Sequence, residues 1–98
     1  MAAIVETAAE SVEFLSPWME DRSDPSARVR YVRVDGRRFE VRNVSGAGWY
    51  LHVRPAENRW FVGAMANWND WAGVAAAARK CVADEARAAA RLEQRLAD

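Results

Sequence analysis

The chain is poor in the residues from which most catalytic and metal centres are built. Among its 98 residues stand one cysteine, Cys81, and one histidine, His52. A single cysteine excludes an internal disulfide, and one cysteine with one histidine cannot furnish the usual tetrahedral zinc site. No metal and no other cofactor is expected. There is no excess charge of either sign, because 14 basic residues meet 14 acidic ones. The overall basic character of a dedicated nucleic-acid-binding domain is therefore missing. No run of about 18 apolar residues occurs, which excludes a transmembrane helix. The start, Met1-Ala2-Ala3-Ile4-Val5-Glu6, lacks a basic flank and meets a glutamate at once, so no secretory signal is expected. Together these absences point to a reducing cytoplasm.

What is present suits one small domain over 1–98. Hydrophobic residues make up 51%, much of it alanine, so five tryptophans, three phenylalanines and two tyrosines must supply much of the burial. Charge is unevenly spread. Residues 1–24 carry six carboxylates against one arginine, a net of −5, while residues 28–59 carry eight arginines against three carboxylates, a net of +5.

Residues 3–15 read as a helix, with Val5, Ala8, Val12 and Leu15 at spacings of three and four and Glu6, Glu10 and Glu13 on another stripe. Ser16-Pro17 ends it. Asp35-Gly36 between Arg28–Val34 and Arg37–Val44 signals a two-residue hairpin, because a type I′ turn needs positive φ at both central positions. Val34 then faces Arg37, Val32 faces Phe39 and Arg30 faces Val41. A second hairpin is expected from Trp49–Arg54 and Arg59–Ala64 around Pro55-Ala56-Glu57-Asn58, with Val53 facing Trp60 and Leu51 facing Val62. One sheet face then collects Val32, Val34, Phe39, Val41, Trp49, Leu51, Val53, Trp60 and Val62.

The last element is a helix from about Asp70 to Ala97, capped by Asn67 or Asn69. Its apolar seam is Trp71, Ala75, Ala78, Val82, Ala89, Leu92 and Leu96, at heptad spacing and interrupted by Glu85. At 1.5 Å per residue it is about 40 Å long, against about 23 Å for a seven-residue strand, so roughly a third must overhang the sheet. The N-terminal helix, whose glutamates would answer Arg87, Arg91 and Arg95, or a second copy of the chain is expected to cover it. The expected fold is α+β: N-terminal helix, four-stranded antiparallel meander, and a long C-terminal helix packed on one sheet face as a two-layer sandwich. The order resembles, in layout alone, the double-stranded RNA-binding domain. Where that family carries lysines at the start of its last helix, this chain reads Asn69-Asp70-Trp71-Ala72-Gly73.

No catalytic constellation is legible. His52 has no orienting carboxylate or nucleophile nearby in sequence, and Cys81 reads as a core filler. Asp84 and Glu85 are adjacent and diverge around a helix. Ser45-Gly46-Ala47-Gly48 lacks the Lys-Ser/Thr of a phosphate loop. Asn43-Val44-Ser45 matches a glycosylation pattern that a cytoplasmic chain would not use. A non-enzymatic binding role follows. The candidate partner-binding residues are Tyr31, Arg33, Arg38, Arg42, Tyr50, His52, Arg54, Arg59 and Phe61 on the second sheet face, and Trp68 at the helix start. Aromatic rings and guanidinium groups suit a protein partner or, alternatively, stacked bases and phosphates; a solvated sheet face is the plain competing explanation. A protein partner is the first expectation, nucleic acid the second, and a homodimer through the C-terminal helix a third. Small stand-alone domains of this kind are common among phage and mobile-element inhibitors, an analogy of size and class only.

Overall fold

Asp35 and Gly36 both take positive φ, 53° and 82°, the turn that matches the right-handed twist of the flanking strands. A computed structural model describes residues 7–9, 12–44, 50–58 and 63–97, without the side chains of 7–9 and 44. The turn joins β4 (Asp24–Val34) to β5 (Arg37–Val44). Their ladder runs unbroken from Ala27↔Val44 to Val34↔Arg37, with the expected Val32↔Phe39 and Arg30↔Val41 pairs. Val32, Val34, Phe39 and Val41 are consequently all buried on one side, since alternate residues share a face.

Three further strands precede this hairpin: β1 (Thr7–Ala9), β2 (Val12–Phe14) and β3 (Met19–Asp21). The expected N-terminal helix over 3–15 is therefore incorrect. Residues 7–9 and 12–14 are extended, and residues 1–6, 10 and 11 lie outside the described residues. The physical reason is the free edge of the 11-residue β4. A long row of unpaired amides and carbonyls demands partners, and that demand overrides the helix preference of alanine and glutamate. Val12-Glu13-Phe14 also alternates as a strand should: Val12 is buried and Glu13 exposed. Both β2 and β3 pair with β4, at Phe14↔Val32 and Met19↔Val29 respectively. Between them Pro17, which has no amide to donate, marks the break. There Leu15 N donates to Tyr31 O at 2.9 Å, and Tyr31 N donates to Ser16 Oγ at 3.0 Å.

Two strands complete the sheet, β6 (Tyr50–Pro55) and β7 (Ala64–Asn67). The expected register of this second hairpin is incorrect. Val53 pairs with Ala64 and Leu51 with Ala66, a slip of four residues from the anticipated pairing. Being even, the slip keeps Leu51 and Val53 on the core face, and both are fully buried. Gly63 permits the close approach: a Cβ there would collide with the carbonyl of Val53. Trp49, Trp60 and Val62, also expected in the core, lie outside the described residues.

The sheet order is β1-β2-β4-β5-β6-β7, with β3 paired beside β4, so the expected four-stranded meander is replaced by a curled antiparallel half-barrel. The one helix among the described residues, α1 (Trp71–Ala97), closes it. It touches β1, β2, β4, β6 and β7, strands from both ends of the sheet path, because the sheet wraps around it. Asp70, and neither Asn67 nor Asn69, is the cap: its Oδ1 accepts from Gly73 N at 2.9 Å, which satisfies an amide the first turn leaves free. A side chain at position 73 would strike that carboxylate. Val74, Ala75, Ala77, Ala78 and Cys81 press on Val12, Val32, Val34, Phe39, Val41, Leu51, Val53 and Ala66. Each large aliphatic or aromatic side chain buried there contributes about 1.5–3 kcal/mol. Without a leading helix, the layout likeness to the double-stranded RNA-binding domain falls away.

Candidate functional site

The second sheet face is less solvated than its arginines suggest. The ladder from β4 to β5 has no slip, so Ala27 and Val29 lie opposite Val32 and Val34. Both are buried, and both stand outside the helix-facing core. Glu40 on this face is only 7% exposed. Arg54 Nε donates to Glu40 Oε1 at 2.8 Å, and Arg42 Nε approaches the same oxygen at 3.9 Å. Arg42 also pairs with Asp21 from β3. The Ser23 amide and hydroxyl, each 2.9 Å away, hold the Asp21 carboxyl below its ordinary range, with Arg42 adding to the effect. Arg33 Nη1 lies 3.0 Å from Glu13 Oε1.

The acidic leader and the basic sheet thus answer each other, but strand beside strand. Glu13, Glu20 and Asp21 meet Arg33, Arg28 and Arg42. The expected acidic helix that would answer Arg87, Arg91 and Arg95 is absent from residues 7–9 and 12–14; Glu13 pairs with Arg33 instead, Arg87 pairs with Asp84 on its own helix, and Glu6 and Glu10 lie outside the described residues. Of the sequence-derived candidates, Arg42 and Arg54 gather around Glu40, which was not one of them, and Tyr31 is its register partner. Arg33 is tied to the β2 edge, while Arg38 and Tyr50 are exposed. Arg59 and Phe61 lie outside the described residues.

Burial, then the nearby Arg54 guanidinium, pushes His52 below its ordinary value of 6.5, so the imidazole is neutral at neutral pH. Cys81 is buried and its Sγ donates to Val53 O at 3.5 Å. Burial raises its pKa, keeping it a thiol and not the thiolate a nucleophile requires. Among the described residues no group of three or more His, Cys, Asp and Glu side chains is placed to hold a metal ion. No helix among them is long and apolar enough to cross a membrane.

Trp68 belongs to an aromatic cluster at the start of α1. It stacks on Trp18 at 5.8 Å, Trp18 lies 6.2 Å from Trp71, and Phe14 meets Trp71 edge-on at 4.8 Å. The Arg30 guanidinium sits 3.6 Å over the Phe14 ring, and its Nε donates to Ser16 O at 2.8 Å. Such stacking and cation–π contacts fasten the N-terminal strands to the helix entry. Trp68 remains 43% exposed, so part of its ring is free to touch something else. Sequence reasoning missed Arg30 and Trp18. The available signal was an arginine on the core-facing side of β4, which needs a ring or a carbonyl to cover its charge.

The overhang of α1 is real and has a sharply defined base. Glu85 accepts from Arg37 through both oxygens, and from Asn58 Nδ2 at 2.9 Å. One turn and a half earlier, Arg79 clamps Asp35 of the hairpin at 2.9 and 3.2 Å. Glu85 therefore interrupts the apolar seam because it anchors the helix where it leaves the sheet. Beyond it every residue from Ala86 to Ala97 is exposed. Leu92 is 55% and Leu96 78% exposed, in line with Val82, which is also exposed. The cover expected from an N-terminal helix is not supplied by residues 7–9 and 12–14, which are strand. The chain matches no protein-family model, no curated protein and no solved structure.

Proposed function

We propose that this protein is non-catalytic and acts by docking on another protein, with the projecting half of α1 as the docking element. The observation that carries this reading is the exposure of Leu92 and Leu96 on a rigid helix anchored at Glu85. Leucines spaced by four lie on one face of a helix, and Val82 and Ala89 continue that face. Helices of this kind bind by laying their apolar stripe into a groove of a partner. The alanines around them favour the helix without tertiary support, so the probe needs no partner to keep its shape. An inhibitor or accessory protein that occludes part of a larger assembly would use such a projection. A second copy of the chain is the alternative occupant of the same stripe.

Nucleic-acid binding by the sheet face has less support, since Arg33, Arg42 and Arg54 are already answered by carboxylates. The decisive comparison is affinity purification from the native host with the wild-type chain and the double variant Leu92→Asp, Leu96→Asp. A partner retained by the wild type and lost by the variant, at equal thermal stability, is the expected result. A partner held equally by both overturns the assignment to α1.

A further inference from the structure

A groove lies at the opposite side of the helix, along the outer edge of β7. Strand β7 ends the sheet path and pairs with no strand on its outer side among the described residues. The groove, of about 660 Å³, runs between it and the flank of α1, lined on the strand side by Ala64, Met65, Ala66 and Asn67, with Tyr50 of β6 reaching it at the Asn67 end, and on the helix side by Gly73, Ala76, Ala77 and Lys80. Four successive strand residues cannot all present side chains to one surface, because alternate ones point to opposite faces. What all four share with the groove is their backbone edge. The helix flank opposite carries side chains no larger than a methyl group until Lys80, so space remains for a chain between the two.

We propose that this groove receives an extended segment of a partner protein, added as one more antiparallel strand beside β7, with a carboxylate at the segment's C-terminal end. An open sheet edge facing a helix is suited to such addition: main-chain hydrogen bonds supply affinity and alternate side chains supply selectivity. Charge sets the direction. Helix α1 follows β7 through a tight turn and runs back along it, so Asp70 and Asn67 mark one end of the groove and Gly63, Ala64 and Lys80 the other. A strand antiparallel to β7 runs parallel to α1. Its N-terminal side falls at the Asp70 carboxylate and its C-terminal side at the Lys80 ammonium. Among the described residues Lys80 is held by Asp84, one turn along the same helix face, at 2.7 Å. Such pairs are weak, and an incoming carboxylate can share the ammonium. The segment's inward side chains meet Gly73 and Ala76, which favours small or medium apolar residues there. This surface stands apart from the projecting half of α1, and neither needs the other.

The probe is a library of random decapeptides displayed on phage, selected against the full chain. Selected sequences are then synthesised and measured by fluorescence anisotropy. Expected are peptides with alternating apolar residues and an acidic residue toward the C-terminal end. Ala76→Arg, at an exposed helix position that fills the groove, weakens them by about tenfold or more, and Lys80→Glu by a few-fold. Leu92→Asp leaves them unchanged, and bound peptide slows hydrogen exchange at amides 64–67. Failure to select any peptide, or winners that bind Ala76→Arg and Lys80→Glu as well as the wild type, overturns the proposal. So does a wild-type dimer in sedimentation that Ala76→Arg converts to monomer, since a second copy then occupies the edge.

Discussion

The two halves of α1 have similar composition and opposite fates. From Trp71 to Glu85 the helix lies in the hollow of the sheet, with Val74, Ala75, Ala77, Ala78 and Cys81 buried. From Ala86 to Ala97 nothing is buried. Yet both halves are alanine-rich, both carry arginines, and the second holds the larger aliphatic side chains, Leu92 and Leu96. The difference teaches that size of the apolar residue does not decide burial here. Small residues let the first half approach the sheet closely, while the leucines sit beyond the point where Glu85 ties the helix to Arg37 and Asn58. A single exposed leucine is ordinary, but an apolar stripe of Val82, Ala89, Leu92 and Leu96 standing in water marks a candidate contact surface.

Substitutions that treat the two halves alike sharpen the contrast. Val74→Asp places an unpaired charge in the core and should remove most of the fold, at a cost of about 4 kcal/mol or more, seen as loss of the cooperative urea transition. Glu85→Ala removes the acceptor of the Arg37 and Asn58 hydrogen bonds and should lower stability by about 1–2 kcal/mol. Its pH dependence has a definite sign. Arg37 first, then Asn58, holds Glu85 below its ordinary value of 4.5. The stabilisation is therefore complete above pH 4.5 and fades as pH falls below it toward the folded-state value. Urea midpoints of wild type and Glu85→Gln, taken from pH 6 down through that window, should converge at the acid end. Arg79→Ala breaks the exposed clamp on Asp35. A smaller loss is expected, nearly absent in about 1 M salt, where screening acts within about 3 Å. Smallest of all, Leu92→Asp with Leu96→Asp should leave the unfolding free energy from urea titration within about 0.5 kcal/mol of wild type. A large loss from that pair would mean the projecting half is packed after all and would break the comparison.

Part of this architecture was legible from local chemistry alone. Asp35-Gly36 dictates its own turn, and alternation then places Val32, Val34, Phe39 and Val41 with certainty once the turn is two residues long. The overhang was legible from lengths. The N-terminal strands were not, because their local spacing satisfies a helix as well as a strand, and only the open edge of β4 chooses between them. The register of β6 against β7 was lost for a related reason. Pro55-Ala56-Glu57-Asn58 fits a four-residue loop, whereas Gly63, which alone tolerates the Val53 carbonyl, starts the paired segment later. Of the candidate site, Trp68 proved partly exposed, Arg33, Arg42 and Arg54 proved engaged, and Arg38 is exposed. That engagement depends on carboxylates more than a dozen residues away, such as Glu13 for Arg33 and Asp21 for Arg42.

By itself the sequence determined the tight β4–β5 hairpin, the long alanine-rich helix, the buried thiol and the scarcity of catalytic groups, because each depends on residues close together or on composition. Only the tertiary structure decided the strand character of residues 7–9 and 12–14, the curl that brings β1 and β7 to one helix, the carboxylate partners of Arg33, Arg42 and Arg54, and the groove beside β7. Those features depend on which unpaired backbone edges and charges meet across the fold. Such meetings are set by the free energy of the whole assembly, and no single segment carries them.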